Sequence, residues 1–187
     1  MTSLRITAGA LRGRRVSVPP RDVRPTAERA RQAFFNIVGP RIDGARFLDL
    51  FAGSGIFSFE AVSRGAASAT AVDGQRRNVE TIDRMAKEWN VPVKSVAGEV
   101  TSVLPRLGEN FDIVYADPPY DYAGYDELLQ AIDRLSLSPD ALVAIEHRRR
   151  SDPFGKWRTG EGASPPRRLR QTRRAEYGEV WITLFAA

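Results

Sequence analysis

From residue 45 onward, short apolar segments alternate with amphipathic ones, and this alternation limits the possible folds more than any other feature. The pattern predicts strands at 46–50, 68–72, 92–97, 111–116 and 140–146. It predicts helices between them at 55–64, 75–89, 99–107 and 125–135. Such repetition of strand and helix is typical of a mostly parallel sheet with helices on both faces. We therefore expect a doubly wound α/β fold.

The N-terminal part has a different pattern. Segments 3–8 and 14–18 alternate polar and apolar residues around a glycine-containing turn, which predicts a β-hairpin. A helix is expected over 27–38, because Thr26 is a good N-cap and a Gly-Pro pair follows the segment. We expect residues 1–40 to form a small hairpin-and-helix extension.

The C-terminal part also departs from the alternation. Segments 167–174 and 179–185 have strand character and are separated by a short turn. Because no crossover helix fits between them, they should pair antiparallel. They would complete a seven-stranded sheet in a domain over 41–187. The Gly-, Pro- and Ser-rich segment 151–166 is predicted to be a mobile loop.

Composition excludes several kinds of site. The chain has 187 residues, no cysteine and a single histidine, His147. Disulfides and thiolate metal sites are thereby excluded, and neither a zinc site nor a Ser-His-Asp triad is expected. No run approaches the roughly 18 apolar residues of a membrane span. The first residues lack the apolar segment of a signal peptide, so we expect a cytoplasmic protein without a metal.

Charge is segregated along the chain. Residues 1–31 carry a net charge of +6 and residues 147–174 carry +8, whereas the remainder carries −9. Basic margins around an acidic middle are typical of a protein that binds a polyanion. A GC-rich genome would explain why arginine outnumbers lysine 25 to 3, but it would not explain the segregation.

The basic margins supply candidate phosphate ligands. The RNA-binding candidates are Arg12, Arg14, Arg24, Thr26, Arg29, Arg148, Arg149 and Arg150. The predicted helix over 27–38, which carries Arg29, adds Arg31 and Asn36 as further candidates. Solvated helix faces are the alternative explanation. For arginines at alternate positions of an edge strand, as in 167–174, protection against aggregation is a further explanation.

A glycine-rich turn, Asp49-Leu50-Phe51-Ala52-Gly53-Ser54-Gly55, follows the first apolar strand and opens a helix. Glycines without Cβ allow the backbone to turn tightly and to approach a ligand closely. Asp73 ends the next strand, 24 positions after Asp49, where a carboxylate can accept both hydroxyls of a ribose. Ser58 breaks the dinucleotide pattern G-x-G-x-x-G. The turn therefore indicates a nucleoside cofactor, unless its glycines serve turn geometry alone.

Asp117-Pro118-Pro119-Tyr120 follows the fourth strand, at the sheet edge where ligands bind. The two prolines fix φ and remove two N–H donors, so the segment is rigid and presents carbonyl oxygens as acceptors. An exocyclic amine of a nucleobase has two hydrogens, which the Asp117 carboxylate and the Pro118 carbonyl could both accept. This would direct the nitrogen lone pair at an electrophilic methyl group, and Tyr120 would stack on the base. A turn that merely ends a buried strand is the alternative.

These residues resemble a known family. The segments 49–55 and 117–120 look like motifs I and IV of S-adenosylmethionine-dependent amino methyltransferases. The run from Arg5 to Arg14, followed by residues 24–36, is similar to the RsmD family, which methylates guanine N2 in small-subunit ribosomal RNA. Departures include Gln32, where the family usually has Glu, and Asp73, where it often has Glu.

The resemblance implies a Rossmann-like class I methyltransferase that binds S-adenosylmethionine and releases S-adenosylhomocysteine (SAH). It implies ribosomal RNA or a small-subunit ribosomal particle as the partner of a monomer. The implied catalytic residues are Asp117, Pro118, Pro119 and Tyr120. The implied cofactor-binding residues are Asp49, Phe51, Ala52, Gly53, Ser54, Gly55, Asp73, Gly98, Glu99 and Val100, with Glu99 near the adenine.

Three other functions stay open. A DNA adenine-N6 methyltransferase would share both motifs, although the chain leaves little length for a separate target-recognition domain. A non-catalytic RNA-binding ribosome assembly factor would need only the basic margins, but it would not need an intact segment 117–120. An NAD-dependent oxidoreductase would share the sheet and Asp73, but it would leave segment 117–120 unexplained.

Overall fold

The computed structural model describes residues 2–18, 25–148, 152–155 and 166–187, with only the backbone described at 25–27. The strands are β1 (Thr2–Arg5), β2 (Arg15–Val18), β3 (Arg46–Leu50), β4 (Ser68–Asp73), β5 (Val93–Ala97), β6 (Phe111–Ala116), β7 (Leu137–Arg148), β8 (Arg170–Tyr177) and β9 (Val180–Ala186). The α-helices are α1 (Pro25–Val38), α2 (Ile56–Ser63), α3 (Arg76–Trp89), α4 (Val100–Val103) and α5 (Tyr125–Asp133). Short 3-10 turns cover Gly39–Ile42 and Leu104–Arg106.

The main sheet has seven strands in the order β5-β4-β3-β6-β7-β9-β8. Strands β3 to β7 are parallel, and β9 runs antiparallel to both of its neighbours, β7 and β8. The predicted doubly wound, mostly parallel sheet is therefore confirmed. Because β4 and β6 lie on opposite sides of β3, the strand order reverses there, and the crevice at the carboxyl end of β3 is the expected ligand site.

Successive strand residues face opposite sides of the sheet and enter two separate apolar clusters. Phe47 of β3 and Tyr115 of β6 lie in one cluster, together with side chains of α1, α2 and α3. Leu48 and Val114, the adjacent residues on the same strands, lie in the other cluster with α4 and α5. The continuous apolar runs found in the sequence thus follow from burial on both faces.

The N-terminal extension packs onto the first of these clusters. Phe34 of α1 is fully buried, and its ring centroid lies 4.6 Å from that of Tyr115. Ala30 and Val38 are buried beside it, as the helical spacing predicts. Val16 and Val18 of β2 belong to the same cluster, so the extension shares a continuous core with the sheet.

A charged network joins the extension to α2. The Glu60 carboxylate is fully buried and accepts hydrogen bonds from the Thr7 backbone N–H at 3.0 Å and from Arg64 Nε at 2.9 Å. Arg31 Nε lies 3.9 Å from Glu60 Oε2, and Arg31 Nη2 donates to the Arg5 carbonyl at 2.9 Å. Arg31 is only 2% exposed. It is therefore not part of an exposed phosphate-binding face, which corrects the sequence-based expectation.

The hairpin turn fits closely against the end of α2. Gly9 has φ +78°, and a Cβ there would lie 1.6 Å from the Ser63 carbonyl oxygen. The Ala10 N–H donates to that same oxygen at 2.8 Å, and the Leu11 N–H donates to Ser63 Oγ at 2.9 Å. Only glycine allows this approach, because any side chain would collide with backbone.

The strand predicted over 3–8 is shorter, as β1, and the strand predicted over 140–146 is longer, as β7. Two further differences have identifiable reasons. The helix expected over 99–107 divides into α4 and a 3-10 turn, since Pro105 lacks the N–H that an α-helix would use. Strand β8 begins at Arg170, later than expected, because the backbone N–H groups of residues 167–169 donate to the Asp133 carboxylate. The predicted mobile loop, 151–166, lies outside the described residues except for 152–155 and Pro166.

Candidate active site

A cleft of about 690 Å³ lies where the sheet order reverses. Its walls come from the segments after β3, β4, β5 and β6, and from the N-terminal extension. Twelve of the sequence-predicted site residues line it: Asp49, Phe51, Ala52, Gly53, Ser54, Asp73, Glu99, Val100, Asp117, Pro118, Pro119 and Tyr120. The two predicted ligand-binding segments therefore face one space.

The two glycines of the first segment have different environments. Gly53 has φ +55°, and a Cβ built there would meet only the Phe51 carbonyl oxygen, at 4.0 Å. Gly55 has φ +75°, and its Cβ would lie 2.8 Å from Ile82 Cγ1. Gly53 thus keeps the cleft open, whereas Gly55 lets α2 pack against α3 and does not line the cleft. Phe51 also has a positive φ, of 60°, which is strained for a bulky residue and typical of a ligand-binding turn.

The Asp73 carboxylate connects two loops at the cleft. Oδ2 accepts the Gly53 N–H at 2.7 Å. Oδ1 accepts the Gln75 N–H at 2.8 Å and Asn78 Nδ2 at 3.0 Å. A carboxylate has about four acceptor positions and these bonds use three, so one position, on Oδ2, is left for a ribose hydroxyl rather than the two expected from the sequence. Asp73 therefore positions the glycine turn as well as facing the ligand space.

Asp49 fixes the start of α2. Its Oδ2 accepts hydrogen bonds from the Ser58 backbone N–H at 3.0 Å and from the Ser58 hydroxyl at 2.7 Å. Burial raises the pKa of Asp49 to about 7, although the bonds from Ser58 oppose the shift. Ser58 occupies the position that would be the third glycine of a dinucleotide motif, so a carboxylate–hydroxyl pair replaces the close packing of that glycine.

Glu99 caps the short helix α4. Its carboxylate accepts the Thr101 N–H at 3.1 Å, the Thr101 hydroxyl at 2.7 Å and the Ser102 N–H at 2.8 Å. Burial alone would raise the pKa of Glu99, but these hydrogen bonds outweigh it and lower the pKa. The carboxylate thus bonds to the protein itself at the place where the resemblance implies an adenine contact. Gly98, beside it, does not line the cleft.

The segment after β6 presents acceptors at the cleft. The Asp117 N–H donates to the Leu50 carbonyl at 3.2 Å, which ties the segment to the end of β3. The Tyr122 N–H donates to the Pro119 carbonyl at 2.9 Å, so that oxygen closes a turn. Pro118 remains the candidate carbonyl acceptor beside the exposed Asp117. Tyr120 is 43% exposed, and the Arg148 guanidinium lies 4.0 Å from its ring centroid.

Sequence reasoning missed the inner end of the cleft. There the Tyr115 hydroxyl donates to Glu146 Oε2 at 2.5 Å, and the Tyr115 ring stacks on Phe57 at 4.0 Å. Burial raises the pKa of Tyr115 well above its usual range, and the charges of Glu146 and Asp117 add to the effect. The available signal was a carboxylate inside the apolar run of β7. The other unpredicted lining residues are Leu4, Glu28, Ile56, Gly74, Gln75, Asn78 and Tyr122. Arg31, which the sequence predicted as an exposed phosphate ligand, lines the cleft from a buried position.

The described RNA-binding candidates are exposed. Arg12 and Arg14 lie on the hairpin turn, Arg29 lies on α1 and Arg148 ends β7. The Arg14 guanidinium also lies 5.2 Å from the ring centroid of Trp89. Arg24, Arg149 and Arg150 lie outside the described residues, and of Thr26 only the backbone, in α1, is described.

The described part of the chain lacks two features. No helix there is long and apolar enough to span a membrane. No group of three or more His, Asp or Glu side chains there is arranged to hold a metal ion.

The strand order and the ligand-facing segments define a class I methyltransferase fold. A similar fold occurs in the Escherichia coli protein yhhF, with a TM-score of 0.82 and 28% identity over 99% of this chain and 98% of that one. It also occurs in SMU.776, solved in complex with SAH, with a TM-score of 0.66 and 16% identity over 88% of this chain and 50% of that one.

The chain belongs to the family described as conserved hypothetical protein 95, whose model matches residues 4–186. It is 35% identical over 146 residues to ribosomal RNA small subunit methyltransferase D of Escherichia coli K12, covering 76% of this chain and 74% of that protein. It is 30% identical over 152 residues to the protein of the same name from Haemophilus influenzae, covering 76% and 78%. The family resemblance inferred from sequence is confirmed.

Proposed function

We propose that the protein transfers the methyl group of S-adenosylmethionine to the exocyclic N2 of a guanine in small-subunit ribosomal RNA. The observation that carries this is the single cleft in which Gly53 and Asp73 face Asp117 and Tyr120. Relatives named ribosomal RNA small subunit methyltransferase D support the RNA substrate. A neighbouring fold complexed with SAH supports the cofactor.

When bound, S-adenosylmethionine supplies an electrophilic methyl group. The Asp117 carboxylate and the Pro118 carbonyl accept the two hydrogens of the guanine amine. The nitrogen lone pair, which is otherwise delocalised into the ring, is then directed at the methyl carbon, and Tyr120 stacks on the base. As the N–C bond forms and the methyl–sulfur bond breaks, the amine loses one hydrogen as a proton, which the Asp117 carboxylate is placed to accept. Because guanine N2 is a weak nucleophile, positioning by these residues supplies most of the acceleration.

The exposed arginines of α1 and of the end of β7 hold the RNA. Arg12 and Arg14 lie on the hairpin turn beside Ser63 and Trp89, the last residues of α2 and α3, at the ends of these helices away from the cleft. Arg29 belongs to the N-terminal extension, which also contributes Leu4, Glu28 and Arg31 to the cleft wall. The RNA therefore contacts the extension while the target base enters the cleft. The protein acts as a cytoplasmic monomer on ribosomal RNA or on a small-subunit particle.

Nucleoside mass spectrometry tests the proposal. Ribosomal RNA from cells without the protein should lack one N2-methylguanosine, and the purified protein with S-adenosylmethionine should restore it. The appearance of N6-methyladenosine instead would overturn the guanine assignment. A complete set of modifications in those cells, together with no transfer in vitro, would overturn the enzymatic function.

Asp73→Ala is expected to weaken S-adenosylmethionine binding by about 10- to 150-fold, the equivalent of the roughly 1.5–3 kcal/mol of a hydrogen bond to a charged group. Calorimetry measures this, and NAD should not bind. Asn78→Ala, which removes one partner of the carboxylate but keeps the carboxylate, should cause a smaller loss. Unchanged affinity in Asp73→Ala would remove this residue from the site.

Tyr120→Ala is expected to slow single-turnover transfer by about 5- to 150-fold, because base stacking contributes roughly 1–3 kcal/mol. Tyr120→Phe should be much milder, since the ring remains and only the hydroxyl is lost. Equal losses in the two variants would assign the effect to the hydroxyl and contradict stacking.

Replacement of Arg148, Arg149 and Arg150 by Ala should flatten the slope of log K against log salt for RNA binding by about 2–3, because each phosphate contact contributes roughly 0.7–0.9. The matched control replaces Arg41, Arg106 and Arg134, three exposed arginines that precede β3, β6 and β7 in sequence and so lie away from the carboxyl ends of these strands. Filter binding over a salt series compares the variants. The same slope in both would show that residues 148–150 only face solvent.

A further inference from the structure

Two carboxylates lie at neighbouring strand ends in the cleft. The register of β6 with β7 pairs Ala116 with Ile145, so Asp117 and Glu146 occupy the next positions along the two strands. Neighbouring strands lie about 4.8 Å apart, and side chains at paired positions point to the same face. Both residues line the cleft. Both carboxylates also act on Tyr125. Burial raises the pKa of Tyr125 to about 12, and the charges of Asp117 and Glu146 add to that shift.

Glu146 differs from Asp117 in its surroundings. Asp117 is exposed, whereas Glu146 is 7% exposed and lies at the inner end of the cleft. The Tyr115 hydroxyl fixes one of its oxygens at 2.5 Å. A carboxylate has about four acceptor positions, and the Tyr115 hydroxyl takes one of them.

The two purines differ at the ring nitrogen beside the amine. In guanine, N1 carries a hydrogen next to the N2 amine, so that edge offers only donors. In adenine, N1 is an acceptor next to the N6 amine. Asp117 and the Pro118 carbonyl cannot tell these bases apart, because either exocyclic amine has two hydrogens. An ionised carboxylate accepts but does not donate, so beside the amine site it matches guanine alone.

We propose that Glu146 accepts the N1–H of the target guanine and thereby selects guanine over adenine, with Tyr115 as the residue that positions its carboxylate. The assignment rests on the proposed function and deepens it by naming a specificity-determining residue. It gives a role to the buried Tyr115–Glu146 pair, which takes no part in binding the amine.

A base analogue tests the assignment. After the methylated nucleotide has been mapped, small-subunit RNA is ligated with 2-aminopurine at that position and assembled into particles. This base keeps the 2-amine, but its N1 carries no hydrogen. In single turnover, the wild-type protein should methylate guanine about 10- to 150-fold faster than 2-aminopurine. This ratio is the equivalent of one lost hydrogen bond to a charged group. In Glu146→Gln, the amide can donate to N1, so the preference should fall by about tenfold or more.

2-Aminopurine also lacks O6, but this difference affects the wild type and the variant alike. It therefore cancels when their guanine-to-2-aminopurine rate ratios are compared. Asp133→Asn is the matched control, since Asp133 is also buried but lies outside the cleft, where it accepts backbone N–H groups of Arg168 and Leu169. That change should lower stability and leave the base preference unaltered.

An unchanged preference in Glu146→Gln, with N2-methylguanosine as the product, would overturn this inference alone. A product other than N2-methylguanosine would overturn the proposed function and this inference with it. Equal wild-type rates on guanine and 2-aminopurine would contradict any N1–H contact, even if Glu146→Gln does not fold.

Discussion

Asp117→Ala should lower the rate of methyl transfer by on the order of 100-fold, because misplacement of reacting atoms by about 1 Å has a cost of this size. The variant removes one of two convergent acceptors for the amine. The fold should be retained, since the contact of Asp117 with β3 is made by its backbone N–H. RNA affinity should change little, because phosphate contacts dominate it. Single-turnover transfer of labelled methyl to small-subunit particles measures the rate, and filter binding measures the affinity.

Asp121→Ala is the matched control for that experiment. Asp121 is an exposed carboxylate in the same loop that does not line the cleft, so its loss should leave the transfer rate within about twofold. Equal rates for wild type and Asp117→Ala would contradict the role of the segment after β6. A parallel fall in RNA affinity would show that Asp117 supports the RNA-binding surface instead.

Glu60→Ala should lower the free energy of unfolding by about 3–5 kcal/mol, the usual effect of removing one partner of a buried ion pair. The variant leaves Arg31 buried without its nearby counter-charge. Burial already lowers the pKa of Arg31, and Glu60 is the main group that opposes this. Thr7 and Arg64 would also lose their carboxylate partner. Urea denaturation measures the change.

Glu80→Ala provides the comparison for an exposed pair. Glu80 lies 3.4 Å from Arg76 on α3, but both side chains are more than two-thirds exposed. Exposed pairs contribute little, so this variant should unfold as the wild type does. Similar losses in the two variants would mean that the buried network does not attach the extension to α2.

The sequence predicted most of the framework because the framework follows local rules. Strands 46–50 and 111–116 were found at their observed limits, since continuous apolar runs between turn residues are distinctive. The sequence alone places Asp73 and Asp117 near each other, because the carboxyl ends of parallel strands meet at one edge of the sheet.

The missed residues depend on contacts between distant segments. Arg31 looked like any other arginine of a basic helix, and only its packing over α2 shows that it is buried. Tyr115 and Glu146 lie on different strands, and neither residue alone indicates that a hydroxyl–carboxylate pair forms. Local patterns predict which apolar residues are buried, but they predict neither the burial of a charged side chain nor its polar partners.

The position of β9 has a consequence for synthesis on the ribosome. This strand follows β7 and β8 in the chain, yet it lies between them in the sheet. Until residues 180–186 emerge, the apolar strand β7 has an open edge, and an unpaired edge of this kind is a template for aggregation. The half of the sheet that presents Glu146 and Arg148 is therefore completed last. A nascent chain can assemble the cofactor-side strands before the target-base side is closed.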